Sequence, residues 1–248
     1  MYVPPFDAIP TMNFFEIEND HFQWDVHILI LGTLDASLRY LETDAKEQLA
    51  KLEAAMNKAL NPDYHEHLVD EHEEVLDTNS RQEQFVRNMA FVALSSRLTH
   101  ALRQMARSAE SFSPRTKKYT KTSMSEFQRL WLEYEDRFGI DFVANADRIA
   151  FVESMREVRN QIVHDGSEAN KFKLLEEIDL NGGDAGYVDL WFSEKYPDYV
   201  SGSGMNAEVS VSAKQLEATV KGSLSLVSWL AGELRTQELA IKKARNNP

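Results

Sequence analysis

The stretch Glu153-Ser154-Met155-Arg156-Glu157-Val158-Arg159-Asn160-Gln161-Ile162-Val163-His164-Asp165-Gly166 reads as the second half of a helix followed by its stop signal. The helix is expected from about Asn145 to His164, and Gly166 is placed to take the left-handed conformation that ends one. At 100° per residue, Arg159 falls between Met155 and Val152, inside the stripe that should be buried. A guanidinium there must be paired, bridged to water, or turned into a cleft that receives an anion. Asn160 and His164 lie four residues apart on the neighbouring face, so the amide can orient the imidazole. His164 occupies the final turn, where the negative end of the helix dipole favours a protonated ring. A histidine so placed can exchange a proton near neutral pH, as general acid or base catalysis requires; the alternative is a helix cap.

Helical spacing extends outward in both directions. Leu31, Leu34, Leu38, Leu41, Ala45, Leu49, Leu52, Met56 and Ala59 recur at steps of three and four, and Asn61-Pro62 stops them. A further helix from Arg81 to about Ser111 follows from Phe85, Met89, Val92, Leu98, Leu102, Met105 and Ala109. Ser113 to Ser123, with Pro114 and several Ser and Thr, reads as a connection. Phe127, Leu130, Trp131, Tyr134 and Phe138 restore the period until Gly139 ends it. Beyond the Arg159 helix, Tyr187 to Phe192 and Glu208 to Val211 are short β-type runs joined through Pro197, Gly202 and Gly204, which predicts a two-stranded hairpin. Ser212 and Gln215 form a capping-box pattern for a last helix whose face is Leu216, Val220, Leu224, Val227, Leu230 and Leu234. The expected fold is mainly α: an extended arm over 1–20, carrying Pro4, Pro5 and Pro10, then one helical domain over 21–248 with the hairpin inserted at about 185–212.

Composition narrows the classes. Apolar residues make up 43% of the 248 and charged residues 27%, as in a folded globular chain. The absence of cysteine excludes disulfides, thiolate metal sites and a cysteine nucleophile. The first Lys or Arg is Arg39, so the N-terminus lacks the positive region of a secretory signal. The apolar run Ile28 to Leu31 is far short of the ~20 residues that cross a bilayer. A soluble, cytoplasmic protein without membrane association is expected.

A net charge of −13 argues against coating nucleic acid with the whole surface, so any RNA contact must be local. Arg97 to Lys121 supplies a candidate, with Arg97, Arg103, Arg107, Arg115, Lys117, Lys118 and Lys121 against one acid, Glu110. A solvated helix and linker is the plainer alternative. Residues 63–77 hold seven acids, three histidines and no Lys or Arg. Within them Asp63, His67 and Glu71 share a helical face and form a weak candidate for a divalent ion, but no established metal-ligand motif is present.

Arg159-Asn160-x-x-x-His164 resembles the R-x4-6-H motif of HEPN (higher eukaryotes and prokaryotes nucleotide-binding) domains, including the frequent Asn after the Arg. The setting is similar too: the motif sits late in a helix, followed by a variable hairpin and a long closing helix, and the resemblance covers about residues 21–240. It implies metal-independent RNA cleavage without a cofactor, the ribose 2′-hydroxyl attacking the adjacent phosphate. His164 would transfer protons, Arg159 would stabilise charge developing on the phosphate, and Asn160 would support both. It also implies a homodimer with two motifs facing one cleft, and an antitoxin or defence-system partner protein. Helix geometry agrees with sharing between chains, since Arg159 and His164 are about 140° and roughly 7.5 Å apart along one helix. Many members of the superfamily keep the fold and serve only as binding or dimerisation modules, which is the alternative expectation.

Overall fold

The computed structural model describes residues 14–113, 126–141, 143–165, 190–202 and 208–246. The described chain is mainly helical with one small antiparallel sheet. Its elements are α1 (Phe14–Trp24), a π-helical segment (Asp25–Leu31), α2 (Gly32–Met56), α3 (Pro62–Ser108), α4 (Glu126–Phe138), α5 (Ala146–Asp165), α6 (Leu190–Lys195), β1 (Val200–Ser201), β2 (Glu208–Val209) and α7 (Ala213–Asn246). Two compact units divide them, the first comprising residues 1–26, 94–157 and 219–248, the second 27–93 and 158–218.

The first unit is built on rings and aliphatic side chains at helical spacing. Phe15 and Phe22, seven residues apart on α1, are both buried. Phe112 meets Phe15 edge-on at 5.9 Å and lies 5.9 Å from Phe138, whose ring is 5.7 Å from Tyr134. Leu98, Leu102 and Met105 of α3 and Leu226, Leu230 and Leu234 of α7 complete this core. Gly222 on α7 admits the Phe151 ring; a Cβ there would stand 2.6 Å from it. Gly139 has φ 63° and closes α4, as its sequence position predicts.

Arg137 is the polar centre of this unit. It is ion-paired with Glu133 one turn earlier, and both side chains are buried. Its guanidinium also donates to the carbonyls of Ala106, at 3.1 Å, and Ser113, at 3.1 and 2.5 Å, and packs over Phe138. Those carbonyls belong to the end of α3 and the chain leaving it, where a helix runs out of its own donors.

In the second unit, side-chain amides of α3 hold the sheet. Asn88 donates to the Val209 carbonyl at 2.8 Å and accepts from the Val211 N–H at 3.0 Å, as a neighbouring strand would. Gln84 accepts from Ser210 Oγ at 2.7 Å. β1 and β2 pair Val200 with Val209 and Ser201 with Glu208. Ser212 and Gln215 form the expected reciprocal cap on α7, at 3.2 and 2.7 Å.

Three expectations are corrected. Residues 14–20 are helical rather than part of an extended arm, because the prolines end at Pro10 and Phe15 and Phe22 supply a buried stripe. The first strand is Val200–Ser201, whereas Leu190–Lys195 is a helix. The rings of Phe192 and Tyr196 meet at 5.1 Å, tilted by 47°, at i,i+4 spacing, and Pro197 opens a 3-10 turn after them. Residues 63–77 and 81–108 belong to one 47-residue helix, since no Gly or Pro interrupts them. Residues 1–13 of the arm, Gly166 and the start of the first β-type run at Tyr187 lie outside the described residues.

Arg137→Ala is expected to destabilise the protein by about 3–5 kcal/mol, because it breaks a buried ion pair from one side and removes the donors to the Ala106 and Ser113 carbonyls; urea titration measures it, and a change below ~1 kcal/mol would contradict the assignment. Tyr134 donates to the Leu102 carbonyl at 2.5 Å, and burial, reinforced by the Glu133 charge, raises its phenol above the ordinary value. The folded state therefore holds that proton more tightly than the unfolded chain, so this contribution is full below the unfolded value near pH ~10 and is lost as pH rises past it. Tyr134→Phe should be slightly less stable at pH 7 and lose less of its stability between pH 9 and pH ~11 than the parent protein.

Candidate functional site

α5 delivers the motif. Val152, Met155 and Val158 are almost fully buried, which fixes the rotation of the helix about its axis. Arg159, expected inside that stripe, is only half-buried, so its long side chain leaves the apolar face that the wheel assigns it. Its Nη1 donates to Oδ1 of the adjacent Asn160 at 3.0 Å, and Asn160 is half-buried as well. Neighbouring residues on a helix do not normally face each other. Here the length of the arginine stem lets its head fold back onto the amide.

This contact fixes one of the five N–H donors of the guanidinium and turns its plane. A phosphate oxygen pair takes two donors, so a bidentate anion contact is compatible with the Asn160 bond. His164 lies in the last turn of α5, five residues beyond Arg159. Its side chain, and with it the expected Asn160–His164 contact, falls outside the described residues.

The basic candidates are not gathered into one exposed patch among the described residues. Arg97 is ion-paired with Asp25 and lies 5.9 Å from the Phe22 ring, so its charge serves the first unit's own packing. Arg103 is half-buried and Arg107 is exposed. Arg115, Lys117, Lys118 and Lys121 lie outside the described residues. Of the metal candidates, His67 approaches Glu71 at 3.5 Å on the exposed surface of α3, with Asp63 one turn earlier. Among the described residues no three His, Asp or Glu side chains converge as a metal ion would need. No described helix is long and apolar enough to cross a membrane.

Helical periodicity also concealed a surface. Phe85 and Met89, whose spacing marks the helix, are 65% and 47% exposed, and Phe85 lines a groove together with Ile28 and Tyr40. Apolar residues at steps of three and four mark a covered face without saying whether the chain itself covers it.

The chain matches no protein-family model, no curated protein and no solved structure.

The Arg159–Asn160 contact can be measured by a double-mutant cycle. Arg159→Met, Asn160→Ala and the double variant should show a coupling of about 0.5–1.5 kcal/mol in thermal or urea unfolding. Strict additivity would mean that the two side chains do not hold each other.

Proposed function

We propose that this chain is a metal-independent endoribonuclease of the HEPN type, working in the cytoplasm as a homodimer, in bacterial toxin–antitoxin or phage-defence biology. The observation that carries the proposal is the orientation of Arg159 by Asn160 near the end of α5, one turn before His164. The order of elements around it supports the same reading: a motif helix, a small hairpin and a long closing helix in a mainly helical chain.

In this chemistry the 2′-hydroxyl of the RNA loses its proton and attacks the adjacent phosphorus. The bond from phosphorus to the 5′-oxygen breaks, that oxygen takes up a proton, and a 2′,3′-cyclic phosphate remains. His164 is the group that moves the proton, its place in the last helical turn favouring the charged form. Arg159 meets the negative charge building on the phosphate oxygens, for which a planar, permanently charged fork is suited. The partner chain's motif completes the cleft, and basic residues of the segment 97–121 contribute to holding the RNA. An antitoxin or defence-system protein would hold the activity in check.

Arg159→Ala and His164→Ala should each lower cleavage of a fluorescent RNA by roughly 10²- to 10⁴-fold while circular dichroism stays that of the parent protein. Cleavage should continue in excess chelator and leave cyclic-phosphate ends, and sedimentation at micromolar concentration should report a dimer. Lys117→Ala with Lys118→Ala should weaken RNA binding and its salt dependence with little effect on the chemical step. Full activity in either motif variant would refute the assignment, and no turnover by the well-folded parent protein would return the chain to the class of helical interaction modules.

A further inference from the structure

In the second unit, α2 and the N-terminal half of α3 enclose two cavities of about 820 and 520 Å³ that share Thr78 and Gln82 as wall residues. They are two ends of one groove with different chemistry. The larger end is mainly apolar: Ile28 of the π-helical segment and Gly32, Ala36 and Tyr40 of α2 line it at four-residue steps, and Phe85 and Val86 line the opposite wall beside Arg81, whose charge is paired with Asp77. Ile28 is 55% exposed, Tyr40 70% and Phe85 65%, so large apolar side chains stand in a concave surface that nothing described in the chain covers. The smaller end is acidic, with Asp44, Glu71 and Glu74 against Lys51. From Ile28 to Leu52 the groove follows about 36 Å of helix.

Charge decides the kind of occupant. The segment His27–Ala93 carries thirteen acidic and six basic residues. A second copy laid into the groove would therefore bring net −7 against net −7, whereas a cationic segment meets complementary charge. The one-per-turn stripe and the length of the groove fit a helix lying in it, anchored by apolar residues at i, i+3, i+4 and i+7.

We infer that this groove docks an amphipathic helix of a partner protein, with apolar anchors seated between Tyr40 and Phe85 and Lys or Arg side chains beside Glu71 and Glu74. The inference is independent of the ribonuclease assignment, since Arg159, the described residue of that motif's pair, does not line the groove.

The test uses the full chain and three fluorescent helical peptides of about 22 residues, a length set by the groove. One has a Leu/Phe stripe in one half and lysines in the other, the second has Glu in place of Lys, and the third is a scramble of the first without the stripe. Saturable binding is expected for the first alone. Phe85→Ser and Tyr40→Ser, at exposed positions, should each weaken it by roughly tenfold or more. Glu71→Gln with Glu74→Gln should weaken it about three- to tenfold and flatten its salt dependence. Arg159→Ala should bind like the parent protein, which separates this outcome from any failure of RNA cleavage. The inference is overturned if no peptide binds, if the scramble binds equally, or if Phe85→Ser changes nothing. Self-association of the parent protein that Phe85→Ser abolishes would overturn it too, by giving the face to a second copy.

Discussion

The end of a 47-residue helix has to be satisfied inside the first unit, and Arg137 does it. A helix terminus leaves carbonyls without intrahelical donors, and those left beside a hydrophobic core cannot turn to water. A guanidinium answers several at once because its donors form a planar fork. Its own charge then needs an anion, which Glu133 provides one turn back on α4. Ser113 closes the arrangement by donating its hydroxyl to the Arg137 carbonyl at 3.2 Å. Tyr134, Phe138 and Phe112 pack around this polar knot, so the aromatic core and the buried ion pair depend on one another. A buried pair of this sort is weak as a source of stability against an apolar replacement but costly to break from one side, which makes it a constraint more than an ornament.

α3 makes a different kind of polar contact in its earlier turns. Asn88 and Gln84 present amides to β2 and the residues after it, substituting for a third strand that the two-residue ladder lacks. A two-stranded ribbon so short has little stability of its own. Its backbone is held by a helix, and the same stretch leads directly into the capped start of α7. The sheet thus serves as a joint between α6 and α7. The Arg159–Asn160 contact needs no such support. It arises within two adjacent residues, so the orientation of the guanidinium is set locally once Val158 fixes the helix rotation.

Much of this was legible in the chain. Gly139, the Ser212–Gln215 cap and the limits of the motif helix follow from local chemistry, and each stands within a residue of its expected place. Local chemistry also explains what was misread. Tyr187 to Phe192 has the residue types of a strand, but Phe192 finds Tyr196 one helical turn on, and that tertiary choice cannot be seen from β propensity. The prolines of the first ten residues suggested that the extended arm continued to residue 20, although Phe15 and Phe22 already carried a buried face. Arg97 was read as one charge in a basic run; its tie to Asp25 joins residues 72 apart and has no local signal. For the candidate site, the positions on α5 were legible and the Arg159–Asn160 bond was not, since adjacent helical residues are not expected to meet.

The stripe from Ile28 to Tyr40 runs from the π-helical segment into α2, a helix that does little to bury itself. Of the α2 residues only Ala45 is fully buried, while Leu34, Leu38, Leu41, Leu49 and Leu52 are half-covered. Its outer face carries polar pairs at four-residue spacing: Arg39 with Asp35, Lys46 with Glu42, and Gln48 with Asp44. Such pairs, screened by water, contribute little each. An element stabilised this way gains far more from covering its exposed apolar residues, at roughly 25 cal/mol per Å², than from any pair on its outer face. A ligand that binds only the folded form raises its stability in proportion to the logarithm of its concentration over Kd. Burial against a partner would therefore stabilise α2 and α3 most where they now protect themselves least, and the groove and the weak self-burial of the helices that form it are one property of the same sequence.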